Sequence, residues 1–163
     1  KLGKELWVLF ETNGYGLTPK TIDLFKESGI DSFWLDIKAY DERVHKRLTG
    51  ASNKWILKLP AEIMDRNFVL EVLSLYIPGW AETDQIRMTA ELLDQVDPNI
   101  PFTILAFFPE HELIDVPSPN LQQMIEAYNA ARDSGLKNIR LGNIGRFAST
   151  EEDYGTLRAL GCL

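Results

Sequence analysis

The stretch "LWVLFETNGYGLTPKTIDLFKESGIDSFWLDIK", residues 6–38, sets two apolar runs on either side of a segment with helical period. The first run, read from Glu5 as ELWVLF, predicts a strand that ends in Glu11, Thr12 and Asn13. A helix should follow it. Thr18 is placed to cap that helix, Pro19 suits its first turn and Gly29 its stop, with Ile22, Leu24 and Phe25 as its apolar side. SFWLDIK is then a second strand, which completes a β–α–β unit.

The pattern continues outward from this unit. A short helix is expected over Asp41–Leu48, and SNKWILKLPAEIMDRN (52–67) reads as helix with a kink or restart at Pro60. FVLEVLSLYI (68–77) is a third strand ending at Pro78-Gly79, and Glu82–Val96 is a helix with Ile86, Ala90 and Leu93 on one side. PFTILAFF (101–108) and NIRLGN (138–143) are the fourth and fifth strands, separated by the helix NLQQMIEAYNAARDSG (120–135). A last helix runs from about Thr150 to Leu160. Five β–α units in strict alternation, with no linker or repeat, predict a single α/β domain over residues 1–163 with a parallel sheet. The sheet is either open and doubly wound or an arc of a barrel, since five units are too few to close eight strands.

Composition narrows the function classes. The 163 residues carry 24 acids and 17 bases, a net charge of −7, which disfavours a nucleic-acid footprint. Charged residues interrupt every apolar run, so neither a membrane span nor a signal segment is expected. Cys162 is the single cysteine, consistent with a reducing cytoplasm and unable alone to hold an iron–sulfur cluster.

Ligands of parallel α/β folds bind beyond the carboxyl ends of the strands. There the sequence places Glu11, Thr12 and Asn13, then Asp36 and Lys38, then Pro78-Gly79, then Glu110 and His111, and finally Gly142, Asn143 and Gly145. Strand alternation sends Asp36 and Lys38 to one face and Phe33, Leu35 and Ile37 to the other. Glu71 interrupts an apolar strand and requires a partner, a solvated cavity or a ligand; Lys38 qualifies as that partner if the two strands are neighbours. Each group also has an ordinary reading. Thr-Asn-Gly suits a turn, Asp-x-Lys a surface ion pair, His111 a solvated loop, and His45 helix packing or a cap.

The order of these motifs resembles the glycyl-radical-enzyme activating enzymes, the pyruvate formate-lyase activating enzyme group of radical S-adenosylmethionine enzymes. The resemblance is carried by ETNG (11–14), WLDIKAYDERVHKRLTGASN (34–53), VLEVLSLYIPGW (69–80) and FFPEHEL (107–113). It implies an incomplete (β/α) barrel and S-adenosylmethionine as cofactor. It also implies Glu11, Thr12, Asn13 and Asp36 near the methionyl end and Lys38 on the carboxylate. Glu71, Pro78, Gly79 and His111 would complete the cofactor-binding set. The reaction implied is one-electron cleavage of S-adenosylmethionine by a four-iron four-sulfur cluster, followed by hydrogen abstraction from a glycine of a partner enzyme. The family's Cys-x-x-x-Cys-x-x-Cys and Gly-Gly-Glu elements are absent from this sequence. The expectation is therefore the later part of such a barrel, starting at its third strand, inactive alone and cloned or proteolysed, as a start at Lys1 suggests. The competing expectation is a non-catalytic α/β binding module derived from the same barrel; a lesser one is a phosphate-binding enzyme using the Gly142–Gly145 loop. An unprotected leading strand also predicts self-association through Leu6–Phe10.

Overall fold

The computed structural model describes residues 6–163. The element order is β1 (Leu9–Thr12), α1 (Pro19–Glu27), β2 (Ser32–Asp36), α2 (Glu42–Thr49), α3 (Leu59–Met64), β3 (Val69–Tyr76), α4 (Thr83–Val96), β4 (Phe102–Ala106), α5 (Leu121–Asp133), β5 (Ile139–Gly142) and α6 (Glu151–Leu160). Among the described residues all four strand pairings are parallel and the spatial order is β1-β2-β3-β4-β5. A doubly wound sheet reverses its strand order at a switch point, and this one never does. Right-handed crossovers in a sequential order put every helix on the same face, which makes the sheet an arc of a (β/α) barrel.

The helix-covered face is dry. Phe33, Leu35 and Ile37 of the second strand are fully buried against Ile22, Leu59 and Ile63, and Phe102 and Ile104 against the following helices. Phe10, Phe25, Phe33 and Phe68 form an aromatic cluster, with centroids 4.7 Å apart for Phe10–Phe25 and 4.9 Å for Phe33–Phe68. It ties β1, α1 and the neighbouring strands together. The opposite face carries Trp34, Asp36, Lys38, Glu71, Thr103 and Arg140, none fully buried.

Three details depart from the sequence reading. The first strand begins at Leu9 rather than Glu5, and Glu5 itself lies outside the described residues. Leu24 is 49% exposed, because it falls off the stripe that Ile22 and Phe25 present to the core. The segment 52–67 divides into a 3-10 turn at Ile56–Lys58 and the helix α3, with Pro60 in its first turn where no N–H is needed. Thr18 and Thr150 accept backbone N–H groups at the starts of α1 and α6, as predicted, while Asp41, read as the first residue of the short helix, is the cap of α2 instead. Among the described residues no helix is long and apolar enough to cross a membrane.

Candidate functional site

The ETNG segment is both turn and rim. Thr12 Oγ1 accepts from Gly14 N at 3.0 Å, and Asn13 Oδ1 accepts from Tyr15 N at 3.0 Å, so both side chains help shape the loop. Gly14 is required twice over. Its φ is +77°, and a Cβ there would lie 2.5 Å from Leu59 Cδ1. The Trp55 indole N–H donates to the Leu17 carbonyl and anchors the far end of the loop. Glu11 is exposed at the third position of β1.

Lys38 stands two residues beyond β2, where the Ile37 N–H still bonds the Leu73 carbonyl at 2.9 Å. Its ammonium pairs with Asp36 Oδ2, both side chains remaining partly accessible. Asn53, 1% exposed, donates to the Ala39 and Tyr40 carbonyls at 2.9 and 2.7 Å and pins the chain leaving the site. The intervening LTGAS residues close α2: Gly50 takes the left-handed cap, and Thr49 Oγ1 donates to the His45 carbonyl. The Ser52 hydroxyl and then the Lys46 ammonium stabilise the Glu42 carboxylate, lowering its pKa to about 2.

These elements enclose a cavity of about 390 Å³ lined by Asn13, Tyr15, Lys38, His45, Thr49, Gly50, Ala51 and Ile56. His45 is 2% exposed, and its Nδ1 has no hydrogen-bond partner. Burial pushes its pKa below the ordinary imidazole value, against the Ala39 carbonyl and Asp36, which favour the charged form. The helix-packing reading of His45 is thus correct but incomplete. Its burial was readable from the helical pattern, whereas its place beside Lys38 required the fold.

Pro78-Gly79 forms a tight turn after β3: Gly79 has φ +73°, its N–H bonds Glu82 Oε1 at 2.9 Å, and Ile77 bridges Ala81. Trp80 on this turn packs, as Val44 and Leu48 do, against the cluster of Ile77, Ala81 and Phe107, and the Arg47 guanidinium lies 3.4 Å from its ring centroid. This small second core roofs the ends of β3 and β4. His111 is exposed in a 3-10 turn beyond β4, with φ +50°.

Glu71 is not where the pairing argument put it. Although β2 and β3 are neighbours, Glu71 lies opposite Trp34, two residues before Asp36, and Lys38 does not reach it. Its Oε2 accepts from Trp34 Nε1 at 2.7 Å and its Oε1 from Thr103 Oγ1 at 2.8 Å. The structure therefore gathers Asn13, Asp36, Lys38 and His45 at the carboxyl edge and leaves Glu71 toward the opposite end. Gly142 belongs to β5 rather than to a loop, and a Cβ there would meet Leu105 Cδ2 at 2.4 Å, so close packing accounts for that glycine.

The family model for the radical SAM superfamily matches residues 1–93. A Methanocaldococcus jannaschii protein, provisionally named a glycyl-radical enzyme activating enzyme, is 28% identical over 129 residues, covering 77% of this chain and 48% of its own length. A domain of pyruvate-formate lyase-activating enzyme from Bacteroides vulgatus has a TM-score of 0.69 at 20% identity, covering 85% of this chain and 82% of that one. Streptococcus suis SuiB bound to S-adenosylmethionine has a TM-score of 0.66 at 13% identity, covering 83% and 32%. At these identities the solved structures show the shared fold. The chain spans about half the length of the M. jannaschii relative.

Proposed function

The chain belongs to the radical SAM superfamily, and we propose that the carboxyl edge of its sheet holds the methionyl part of S-adenosylmethionine. The observation that carries this reading is Lys38, a partly accessible ammonium in the wall of a cavity, with a buried imidazole whose Nδ1 lacks a partner lining the same space. An ammonium on a flexible stem suits a carboxylate, with Asp36 holding it in place. Glu11, Thr12 and Asn13 form one rim, while Pro78, Gly79 and His111 stand along the same edge farther round the arc. Glu71, saturated by Trp34 and Thr103, supports the inner face from below. Held there by Lys38 and its neighbours, S-adenosylmethionine would supply the radical chemistry of hydrogen abstraction.

The residues present do not fit the four-iron four-sulfur cluster. Cys162 is buried against Leu157, its thiol pKa raised by desolvation, and among the described residues no group of three His, Cys, Asp or Glu could hold a metal. Activation of a glycyl-radical enzyme is proposed only for a whole protein of this kind, on the name of the M. jannaschii relative. The competing reading, a binding module without chemistry, shares the cavity and differs in having no use for the cofactor.

Calorimetric titration of the chain with S-adenosylmethionine tests the proposal. Lys38→Ala should weaken binding about tenfold, the cost of one charge-assisted contact. Unchanged affinity in that variant would refute the carboxylate assignment, and no binding to either protein would favour the module.

We also propose that β1, an edge strand with Leu9 exposed and with Leu6 and Trp7 exposed just before it, pairs with another strand. Sedimentation should show dimers at high concentration that Leu9→Lys abolishes; a monomer throughout would count against it.

A further inference from the structure

Besides Lys38, the carboxyl-edge cavity is lined by a phenol ring that the rest of the chain leaves uncovered. Tyr15 is part of the cavity wall and is 78% exposed. Other rings at this edge are occupied. The Arg47 guanidinium lies over Trp80, that of Arg146 lies 4.3 Å from the Phe108 centroid, and the Trp55 indole N–H is held by the Leu17 carbonyl. Among the described residues no ring, cation or hydrogen bond engages the Tyr15 side chain; its one bond is from the backbone N–H to Asn13 Oδ1.

The backbone fixes where this ring stands. Gly14 to Leu17 form a β-turn closed by the Leu17 N–H on the Gly14 carbonyl at 3.2 Å. Gly16, with φ +81°, takes the third position, which a type II turn gives to glycine, and Tyr15 takes the second. Both feet of the turn are packed: Gly14 lies against Leu59, and Leu17 is buried in the core. An exposed aromatic ring on so constrained a turn has little backbone freedom to lose on binding, the property that makes such rings effective anchors.

We infer that Tyr15 is the platform for the base of the ligand: adenine stacks on its ring while the carboxylate meets Lys38. The inference rests on the cofactor reading above. Lys38 follows β2 and Tyr15 follows β1, so two loops of one cavity would read the two ends of one molecule. A purine offers an uncharged π face, and an aromatic side chain is the partner that suits it. A sulfonium could use the same ring as a cation, and a ligand with uncharged sulfur separates the two.

Two substitutions test this. Tyr15→Phe keeps the ring, and Tyr15→Leu keeps apolar bulk without it. S-adenosylmethionine, S-adenosylhomocysteine (the same base on an uncharged thioether) and methionine are titrated into all three proteins, following binding heat and the adenine ring-proton resonances. Tyr15→Leu should bind both adenosyl ligands about tenfold more weakly and methionine unchanged. Its unfolding midpoint should not move, because the ring it loses is unpacked. Tyr15→Phe should stay within about threefold of the original affinity. The adenine protons should shift upfield on binding wherever the ring is present and not in Tyr15→Leu.

S-adenosylmethionine bound equally well by Tyr15→Leu, with no upfield shift in any protein, would overturn the inference while the cofactor reading stood. A loss confined to S-adenosylmethionine would give the ring to the sulfonium and overturn base stacking as well. No binding of S-adenosylmethionine by any of the three proteins would remove the cofactor reading, and this inference with it.

Discussion

The open face of the sheet has two ends that are equally polar and differently finished. Toward the amino ends of the strands, Glu71 has one oxygen on the Trp34 indole and the other on the Thr103 hydroxyl, while the Trp7 indole N–H bonds the Ser32 hydroxyl. At the carboxyl end, Lys38 and Asp36 pair within a partly accessible cavity rim, and a fully enclosed imidazole keeps one nitrogen unsatisfied. A polar side chain on an inner face is therefore not a site by virtue of polarity. What separates frame from site is whether the hydrogen bonding is complete without a ligand.

The largest test of that distinction is Glu71→Ala. It strips two donors of their charged acceptor, and an unmade bond of this kind costs about 1–3 kcal/mol. We expect about 3 kcal/mol of lost stability in urea unfolding with S-adenosylmethionine affinity unchanged. A stable variant that binds poorly would move Glu71 from the frame to the site.

A smaller effect concerns pH. The His45 pKa is depressed below its ordinary 6.5, and that of Glu42 from 4.5 to about 2, so the folded chain binds fewer protons than the unfolded one at both groups. Stability therefore rises with pH. The His45 share is complete above about 6.5 and is lost as pH falls through its folded value; the Glu42 share is lost between about 4.5 and 2. The unfolding midpoint should begin to fall below pH 6.5, and in His45→Gln the fall should start only in the carboxylate range. Identical curves would mean that His45 exchanges protons freely while folded.

Much of the frame was readable from the sequence because it depends on local chemistry. Thr18 and Thr150 cap helices where short polar side chains precede apolar periodicity. The alternation in SFWLDIK correctly put Asp36 and Lys38 on the face opposite Phe33 and Leu35. Register was not readable. The three-residue offset between the starts of β3 and β4 brings Thr103 within reach of Glu71, and no local pattern carries that offset. His45 was hidden for a related reason: its spacing within α2 predicts burial, but only the fold shows it lining a cavity with Lys38 and its Nδ1 without a partner.

The most direct test of the account is an isotope-labelled titration of this chain with S-adenosylmethionine, read residue by residue. Resonance changes are expected at Asn13, Tyr15, Lys38, His45, Thr49 and Gly50, with Trp34, Glu71 and Thr103 unmoved. Changes centred on Trp34 and Glu71, with none at Lys38 or His45, would contradict it.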